Sequence, residues 1–148
     1  MSKPRKPALA AAFALVVLIT SLALPAHASE RKPVKTRLTE LFGLCKAGDS
    51  DAAAGYFVYR GPDESRKWKD TYRAEDAAER AEVKDACARI KSYLDESQGY
   101  TFGPVRVERE SEGQWRIVEV SFRQGEETRR VLFAFLPVKG QFSIGDID

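Results

Sequence analysis

The stretch GYFVYRGPDESRKWKD, residues 55–70, concentrates the side chains best suited to bind a small molecule. It places four aromatic and four basic residues around a Gly-Pro turn. Aromatic rings offer flat apolar surface and a guanidinium donates hydrogen bonds in fixed directions, which together orient an organic ligand. An alternative interpretation is that the aromatic residues belong to the core and the loop is simply solvated. The candidate ligand-binding residues are Tyr59, Arg60, Trp68 and Tyr72.

The interleaved charges of this loop argue against nucleic acid as its ligand. A surface that binds single strands combines stacking aromatic rings with a continuous basic stripe. Here both signs of charge alternate over a few residues, so the acidic side chains cancel the field that phosphates would require. The charged positions are Asp63, Glu64, Arg66, Lys67, Lys69 and Asp70.

Two carboxylates near the end of the chain are the candidates for acid–base chemistry. Asp146 or Asp148 could meet a tyrosine in a pocket and transfer a proton, as in an isomerase or a dehydratase. The alternative is that both are solvated acids at the end of a strand. Trp115, which alternates with Arg116, is expected in the core or on a sheet face. No catalytic residue is therefore assigned.

The first 28 residues have the composition of a secretory signal peptide. Three basic residues precede an apolar run from Ala8 to Leu24, and a small-x-small sequence follows it. This pattern predicts cleavage between Ala28 and Ser29, with an uncleaved membrane anchor as the alternative. We expect a periplasmic or secreted protein with no membrane association after cleavage. The predicted division is a signal peptide at 1–28, a mobile N-terminus at 29–35 and a single domain at 36–148.

Removal of this segment changes the net charge of the chain and the residue types available for catalysis or metal binding. Of 24 basic and 22 acidic residues, three basic ones lie in the signal peptide, which leaves 21 against 22. A near-neutral domain has no overall field to attract nucleic acid or an anionic membrane. The only histidine, His27, also leaves. The remainder lacks the residues for a Ser-His-Asp or Cys-His mechanism and for a zinc site, so no metal and no cofactor is expected.

Two cysteines, Cys45 and Cys87, remain in the exported chain. An even count in an oxidising compartment favours a disulfide between them. The alternative is two separate buried thiols that pack as small apolar side chains. Each cysteine belongs to an apolar helical stripe, which would allow the two to meet. The stripes are Leu38, Leu41, Phe42 and Cys45 in one helix and Val83, Cys87, Ile90 and Leu94 in another.

The hydrophobic pattern predicts helices in the first half of the chain and strands in the second. Gly48 suits the end of the first helix and Asp49 the cap of the second. The helices are predicted from Pro33 or Thr36 to Gly48, from Ser50 to the residue before Gly61, and from about Ala74 to Leu94. After Gly99 the pattern alternates with period two, and short breaks suited to hairpins separate four segments. These segments are YTFGPVRVERE, QWRIVEVSFRQ, TRRVLFAFLPV and QFSIGDID.

The order of elements predicts an α+β domain, with three N-terminal helices packed on a four-stranded antiparallel meander. The run LCKAGDSDAAAGYF resembles the helix–Gly-Asp–helix opening of NTF2-like (cystatin-like roll) domains, particularly small exported members, and GQFSIGDID resembles their ending. The resemblance covers most of residues 36–148. It implies a sheet that curls into a cone, with the helices closing one side around an apolar pocket. The short polar segment from Gly61 to Arg73 departs from the pattern, because many members insert further strand there.

Members of this family include enzymes and non-catalytic binding modules, so the fold does not select a function. We expect an exported non-enzymatic domain that binds a small apolar ligand or a protein partner in the cone, as a monomer or homodimer. The alternative is a small acid–base pocket enzyme that uses Asp or Glu with Tyr. A buried carboxylate beside a tyrosine in a deep cavity would favour the enzyme, and an interior filled with apolar side chains would favour the binder.

Overall fold

The computed structural model describes residues 31–148, in which helices precede strands. The predicted signal peptide, with its cleavage site at Ala28 and Ser29, lies outside these residues. The predicted α+β class is confirmed, because the helices are followed by a four-stranded antiparallel meander. The elements are α1 Val34–Ala47, α2 Ser50–Ala53, a 3-10 turn Ala54–Tyr56, α3 Ala77–Asp95, β1 Tyr100–Glu110, β2 Gly113–Gln124, β3 Glu127–Val138 and β4 Gln141–Ile147.

Helix α1 carries the predicted apolar stripe into the core. It begins at Val34, directly after Pro33, and ends at Ala47, where the next residue, Gly48, adopts the left-handed conformation with φ 74°. The backbone N–H of Gly48 donates to the carbonyl of Cys45 over 3.1 Å and so satisfies one of the free acceptors at the helix end. Leu38 and Leu41 are fully buried.

The second helix departs from its predicted length. Asp49 caps it as predicted, since its Oδ1 accepts a hydrogen bond from the backbone N–H of Ala52 over 3.1 Å. The helix ends at Ala53, and from Phe57 the chain is extended, so the prediction that it continues towards Gly61 is wrong. Aromatic and β-branched side chains favour extended backbone. Phe57 also forms a parallel bridge to Ile144 of β4, which a helix could not make.

Helix α3 begins at Ala77, three residues later than predicted, because Asp76 caps it. The Asp76 Oδ1 accepts a hydrogen bond from the backbone N–H of Glu79 over 2.9 Å. The predicted stripe of α3 faces the core, with Val83, Cys87 and Ile90 buried. No helix within residues 31–148 combines the length and the apolar character needed to cross a membrane.

The predicted disulfide between Cys45 and Cys87 is confirmed. It joins α1 to α3, with the two Cα atoms 4.8 Å apart. The cysteines are 42 residues apart in the chain. Closing a loop of that length stabilises the fold by roughly 3–4 kcal/mol, chiefly by restricting the unfolded chain.

The sheet is a simple meander in the order β1-β2-β3-β4. Two-residue turns join the strands, with Glu110 paired to Gly113, Gln124 to Glu127 and Val138 to Gln141. An irregularity in β1 lies between Phe102 and Val105, at the predicted Gly-Pro break. The strand that is apolar on both faces, β3, lies inside the sheet as predicted.

Aromatic rings fill the space between the helices and the sheet. The ring of Phe42 on α1 lies 5.1 to 6.5 Å from four rings of the sheet. Such pairs contribute beyond the apolar area that they bury. The partners of Phe42 are Tyr100, Phe102, Phe122 and Phe133. The space between α1 and the sheet is thus occupied by core side chains, and open space must be sought at its margin.

Candidate ligand-binding groove

An extended segment, residues 57–59, positions the candidate site against the edge of β4. The backbone N–H of Val58 donates to the carbonyl of Ile144 over 2.8 Å. On its other side the segment pairs with the returning chain, where Tyr59 N–H donates to Asp70 O over 2.8 Å and Tyr72 N–H donates to Phe57 O over 3.2 Å. This pairing brings the rings of Tyr59 and Tyr72 edge to face, with centroids 5.6 Å apart.

A groove of about 480 Å³ opens between this ring pair and the first turns of α3. A narrower recess of about 170 Å³ continues it towards the end of β4. The two share Arg60, Tyr72 and Glu82, so they form one continuous surface that we call the groove. Volumes of this order hold small organic ligands. The wider part is lined by Tyr59, Arg60, Gly61, Pro62, Tyr72, Asp76, Ala78, Glu79 and Glu82.

Tyr59 is a fixed wall of the groove. Its side chain is buried, and its Oη accepts a hydrogen bond from the backbone N–H of Asp63 over 3.2 Å. The guanidinium of Arg66 covers one ring face at 4.0 Å from the centroid. A Cβ on Gly61 would lie 2.4 Å from the Tyr59 Oη, so the turn at Gly61 must lack a side chain for the ring to lie here.

Tyr72 and Arg60 form the part shared by the groove and its recess. Burial raises the pKa of Tyr72, so its hydroxyl stays protonated and able to donate a hydrogen bond. Arg60 donates to the carbonyl of Gly145 over 2.8 Å and to Asp146 Oδ1 over 3.3 Å. The charge of Arg60 is therefore balanced by its neighbour.

Trp68, the fourth candidate, is not among the lining residues of the groove. Its ring packs edge to face on Trp115, with centroids 5.9 Å apart, and the guanidinium of Arg60 lies 5.1 Å from its centroid. Trp115 is buried, as predicted for a core residue. The structure thus brings Tyr59, Arg60 and Tyr72 together and places Trp68 behind Arg60.

A buried ion network fixes the loop that carries these rings. Arg66 donates to Asp70 Oδ2 over 2.7 Å and to both carboxylate oxygens of Glu79, over 2.5 and 3.1 Å. Glu79 also accepts the backbone N–H of Arg73 over 2.7 Å, and Lys139 from the β3–β4 turn pairs with Asp70. The network ties the loop to α3 and to the sheet.

The charges of this network are locked by their partners. Burial on its own raises the pKa of Asp70, but hydrogen bonds from Lys139, Arg66 and a backbone N–H outweigh it and hold the pKa well below its usual range. The hydrogen bond from Arg66 is the main cause that lowers the pKa of Glu79. Both carboxylates are ionised and already hydrogen-bonded at neutral pH, so neither suits a general base.

The alternative interpretation, in which this loop is simply solvated, is wrong for Arg66 and Asp70. Both are largely buried, as is Glu79. Two signals in the sequence could have revealed them. Arg66 and Asp70 stand at i and i+4, the spacing of an ion pair on a helical turn. Asp76 and Glu79 are three residues apart, which is the spacing between an N-cap residue and an acidic residue at position N3 of a helix.

Of the two carboxylates considered for acid–base chemistry, Asp146 is paired and Asp148 lies outside the groove. Asp146 bonds to Arg60, while the backbone of Asp148 pairs with Leu132 of β3.

An acid–tyrosine pair exists on the α1 side, where Tyr56 Oη donates to Glu40 Oε2 over 3.0 Å. A hydrogen bond from Lys32 lowers the pKa of Glu40, and burial raises that of Tyr56. Neither Glu40 nor Tyr56 lines the groove. Within residues 31–148, no cluster of three potential metal-ligating side chains occurs.

Comparison with known proteins finds matches among solved structures only. No protein-family model and no curated protein matches the sequence. One similar solved structure is described as "Rd1NTF2_04 with long sheet", with 14% identity over 78% of this chain and 97% of that one, at a TM-score of 0.44. Another is a putative scytalone dehydratase from Novosphingobium aromaticivorans, with 12% identity over 77% of this chain and 78% of that one, at a TM-score of 0.36.

An NTF2-like domain is the fold that the sequence motifs led us to expect. The architecture expected of such a domain, helices followed by a four-stranded meander, is the one observed. The roles of residues must come from this chain's own geometry, since fold alone does not define function.

Proposed function

We propose that the protein is an exported, non-enzymatic binding domain that holds a small apolar ligand, neutral or positively charged, in the groove. The observation that carries the proposal is the pair of rings, Tyr59 and Tyr72, held edge to face beside a cavity of about 480 Å³ by a loop with a buried ion network. A wall that is rigid before binding lowers the entropy lost on binding.

The groove is a better ligand site than the cone interior. Phe42 and the four sheet rings around it occupy the space beneath α1. Packed side chains leave no room there unless the core opens, which would lose buried contacts. By contrast, Tyr72 is half-buried and faces open volume.

The charges of the wider part of the groove disfavour an anionic ligand; Arg89, which forms no ion pair within residues 31–148, lines only the recess. Arg60 is balanced by Asp146, and Glu79 is balanced by Arg66. Glu82 is exposed at the rim and has no ion-pair partner within residues 31–148. A positively charged group would gain from Glu82 and from the tyrosine rings, which attract cations through their faces.

The acid–base enzyme receives less support. It needs a buried, unpaired carboxylate beside a tyrosine in the same cavity, and Glu82, which is unpaired within residues 31–148 and shares the groove with Tyr72, is exposed to solvent. Asp70 and Glu79 are ionised and fully engaged, and Asp146 is paired with Arg60. The pair formed by Glu40 and Tyr56 lies outside the groove.

Export is supported by the disulfide together with the sequence of the first 28 residues. A disulfide between Cys45 and Cys87 persists in an oxidising compartment such as the periplasm. Sequencing the N-terminus of the protein recovered from its own cells tests this part of the proposal, with Ser29 expected as the first residue.

Three probes of one shape test the ligand class: benzyl alcohol, benzylamine and benzoate. We expect benzylamine and benzyl alcohol to shift the NMR signals of Tyr72, Ala78 and Glu82, and benzoate to bind more weakly. Tyr72→Ala should weaken both favoured probes, while Glu82→Gln should weaken benzylamine alone. Trp68→Phe should change neither, because Trp68 does not line the groove.

Glu126→Gln, a matched charge change in the distant β2–β3 turn, is the control for Glu82→Gln. The proposal is contradicted if benzoate binds best, or if the shifted signals map to the cone interior around Phe42. Native mass spectrometry of protein purified from its own cells provides an independent check, since a retained ligand appears as added mass.

A further inference from the structure

The two edges of the sheet differ in how their backbone groups are used. Along β4, the carbonyl of Phe142 accepts from Arg37, that of Ile144 from Val58 and that of Gly145 from Arg60. Along β1, no hydrogen bond from any part of residues 31–148 reaches the outer side of residues 105–109 beyond those of the sheet itself. Edge strands left open in this way are templates for pairing with another chain.

The hairpin fixes which groups of β1 point outwards. Glu110 and Gly113 flank a two-residue turn, so they form a hydrogen-bonded pair. Hydrogen-bonded and non-bonded pairs alternate along an antiparallel ladder. Glu108 and Arg106 therefore bond to β2. The N–H and C=O groups that face away from the sheet belong to Val105, Val107 and Arg109.

The side chains of this edge combine exposed apolar residues with alternating charge. Val105 and Val107 are 37% and 53% exposed and are the exposed large hydrophobic residues of the described chain. Arg106 and Glu108 alternate with these valines along the strand, so their side chains lie on its opposite face. Each of the two side chains is roughly half exposed. A partner strand would cover the valines and meet both charges.

We propose that β1 pairs with β1 of a second copy, antiparallel about a twofold axis at Val107. In this register Val107 faces Val107 of the second copy and exchanges both of its outward hydrogen bonds with it. Val105 likewise faces Arg109 of the second copy and exchanges its outward hydrogen bonds with it. Arg106 then lies opposite Glu108 in both directions, in non-bonded pairs whose side chains are close together.

Neighbouring registers that use the same outward groups are poorer. Moving the axis to Arg106 sets Arg106 against itself, and moving it to Glu108 sets Glu108 against itself. Like charges directly opposite each other destabilise a strand pair. Only the register centred on Val107 satisfies the outward backbone groups and pairs both charges, so the strand is complementary to itself. This inference is independent of the ligand proposed for the groove.

Sedimentation velocity over a range of concentrations tests the pairing. The purified protein should form a dimer, with a mass twice that of one chain. Arg106→Glu alone, or Glu108→Arg alone, should raise the dimer Kd by about tenfold or more, because two attractive pairs become repulsive. The double variant Arg106→Glu/Glu108→Arg should restore the dimer.

Mixing the two single variants gives the sharpest outcome. Each alone should be monomeric, but their equimolar mixture should form a heterodimer, because both charged positions are acidic in the first variant and basic in the second. Val107→Pro should also abolish the dimer while leaving β1 in place, because the N–H that it removes points away from the sheet. Glu126→Arg, a charge reversal in the β2–β3 turn, is the control and should leave the dimer intact.

A monomer at all concentrations would overturn the proposal. A dimer that is unaffected by the single charge reversals, or a mixture of single variants that stays monomeric, would overturn it as well. Far-UV circular dichroism of every variant confirms that the compared chains are folded.

Discussion

Arg66 donates two hydrogen bonds to the carboxylate of Glu79, thirteen residues further along the chain. This contact joins the loop after the extended segment to the first turn of α3. Because Tyr59 lies beneath the same guanidinium, the contact also fixes one wall of the groove. The geometry of the candidate site therefore depends on a guanidinium that is not itself part of the groove lining.

Arg66→Ala should destabilise the protein by about 3–5 kcal/mol, because Asp70 and Glu79 would remain buried without their common partner. Urea unfolding followed by circular dichroism measures the loss. The matched control is Arg80→Ala, which removes an exposed ion pair with Asp51 and should cost less than about 1 kcal/mol. Equal losses for the two variants would show that the buried network does not stabilise the fold.

The stability of the protein should fall in acid. The pKa values of Asp70 and Glu79 are lowered in the folded state, so these groups add stability above their unfolded pKa values of about 4. That stability is lost as the pH falls from there towards the folded pKa values. Asp70→Asn should be less stable than the parent at pH 7, and the difference should shrink below about pH 4. Unfolding free energies measured from neutral pH into strong acid provide the test, and a constant difference would contradict it.

Replacing both cysteines with alanine should lower the unfolding free energy by roughly 3–4 kcal/mol. The bond closes a long loop between α1 and α3, and the small alanine side chains fit the space that the sulfurs leave. Thiol counting on the unfolded parent protein, prepared without reductant, should find no free thiol. Two free thiols would mean that the bond does not form.

Gly145→Ala should cost about 1–3 kcal/mol by overpacking. A Cβ at this position would lie 2.6 Å from two atoms of the Trp115 ring, and Trp115 is itself buried. Trp115→Phe removes the outer part of that ring, so the double variant should lose less stability than the sum of the two single variants. Additive losses of stability in thermal or urea unfolding would show that the cost of Gly145→Ala does not come from contact with the Trp115 ring.

The parts of the fold that follow from local pattern were predictable from the sequence. The stripe from Leu38 to Cys45, the two-residue turns and the pairing of the cysteines needed only periodicity, turn residues and compartment. The second helix was mispredicted because Phe57 and its neighbours are compatible with a helix locally. Their extended form depends on Ile144, which is distant in the chain. Local pattern does not contain that contact.

Only part of the arrangement at the candidate site could be predicted, because local pattern does not contain the contacts between residues that are distant in the chain. Tyr59, Arg60 and Tyr72 were selected by residue type, and pairing between residues 57–59 and 70–72 brings them together. Their role as ligand contacts stays a prediction. Trp68 is also an aromatic residue of this segment, but its ring packs against Trp115 on β2 rather than into the groove. The burial of Arg66 depends on Glu79, and Asp70 is also held by Lys139 from the β3–β4 turn, which no local pattern reveals.

The disulfide encloses every predicted ligand contact within one covalent ring of the chain, from Cys45 to Cys87. The exposed turn at residues 62–65 lies inside this ring and is the kind of segment that proteases cut. A single cut there would leave two fragments that stay joined and migrate together until they are reduced. A protease could therefore nick the loop of the groove without releasing either half of the domain.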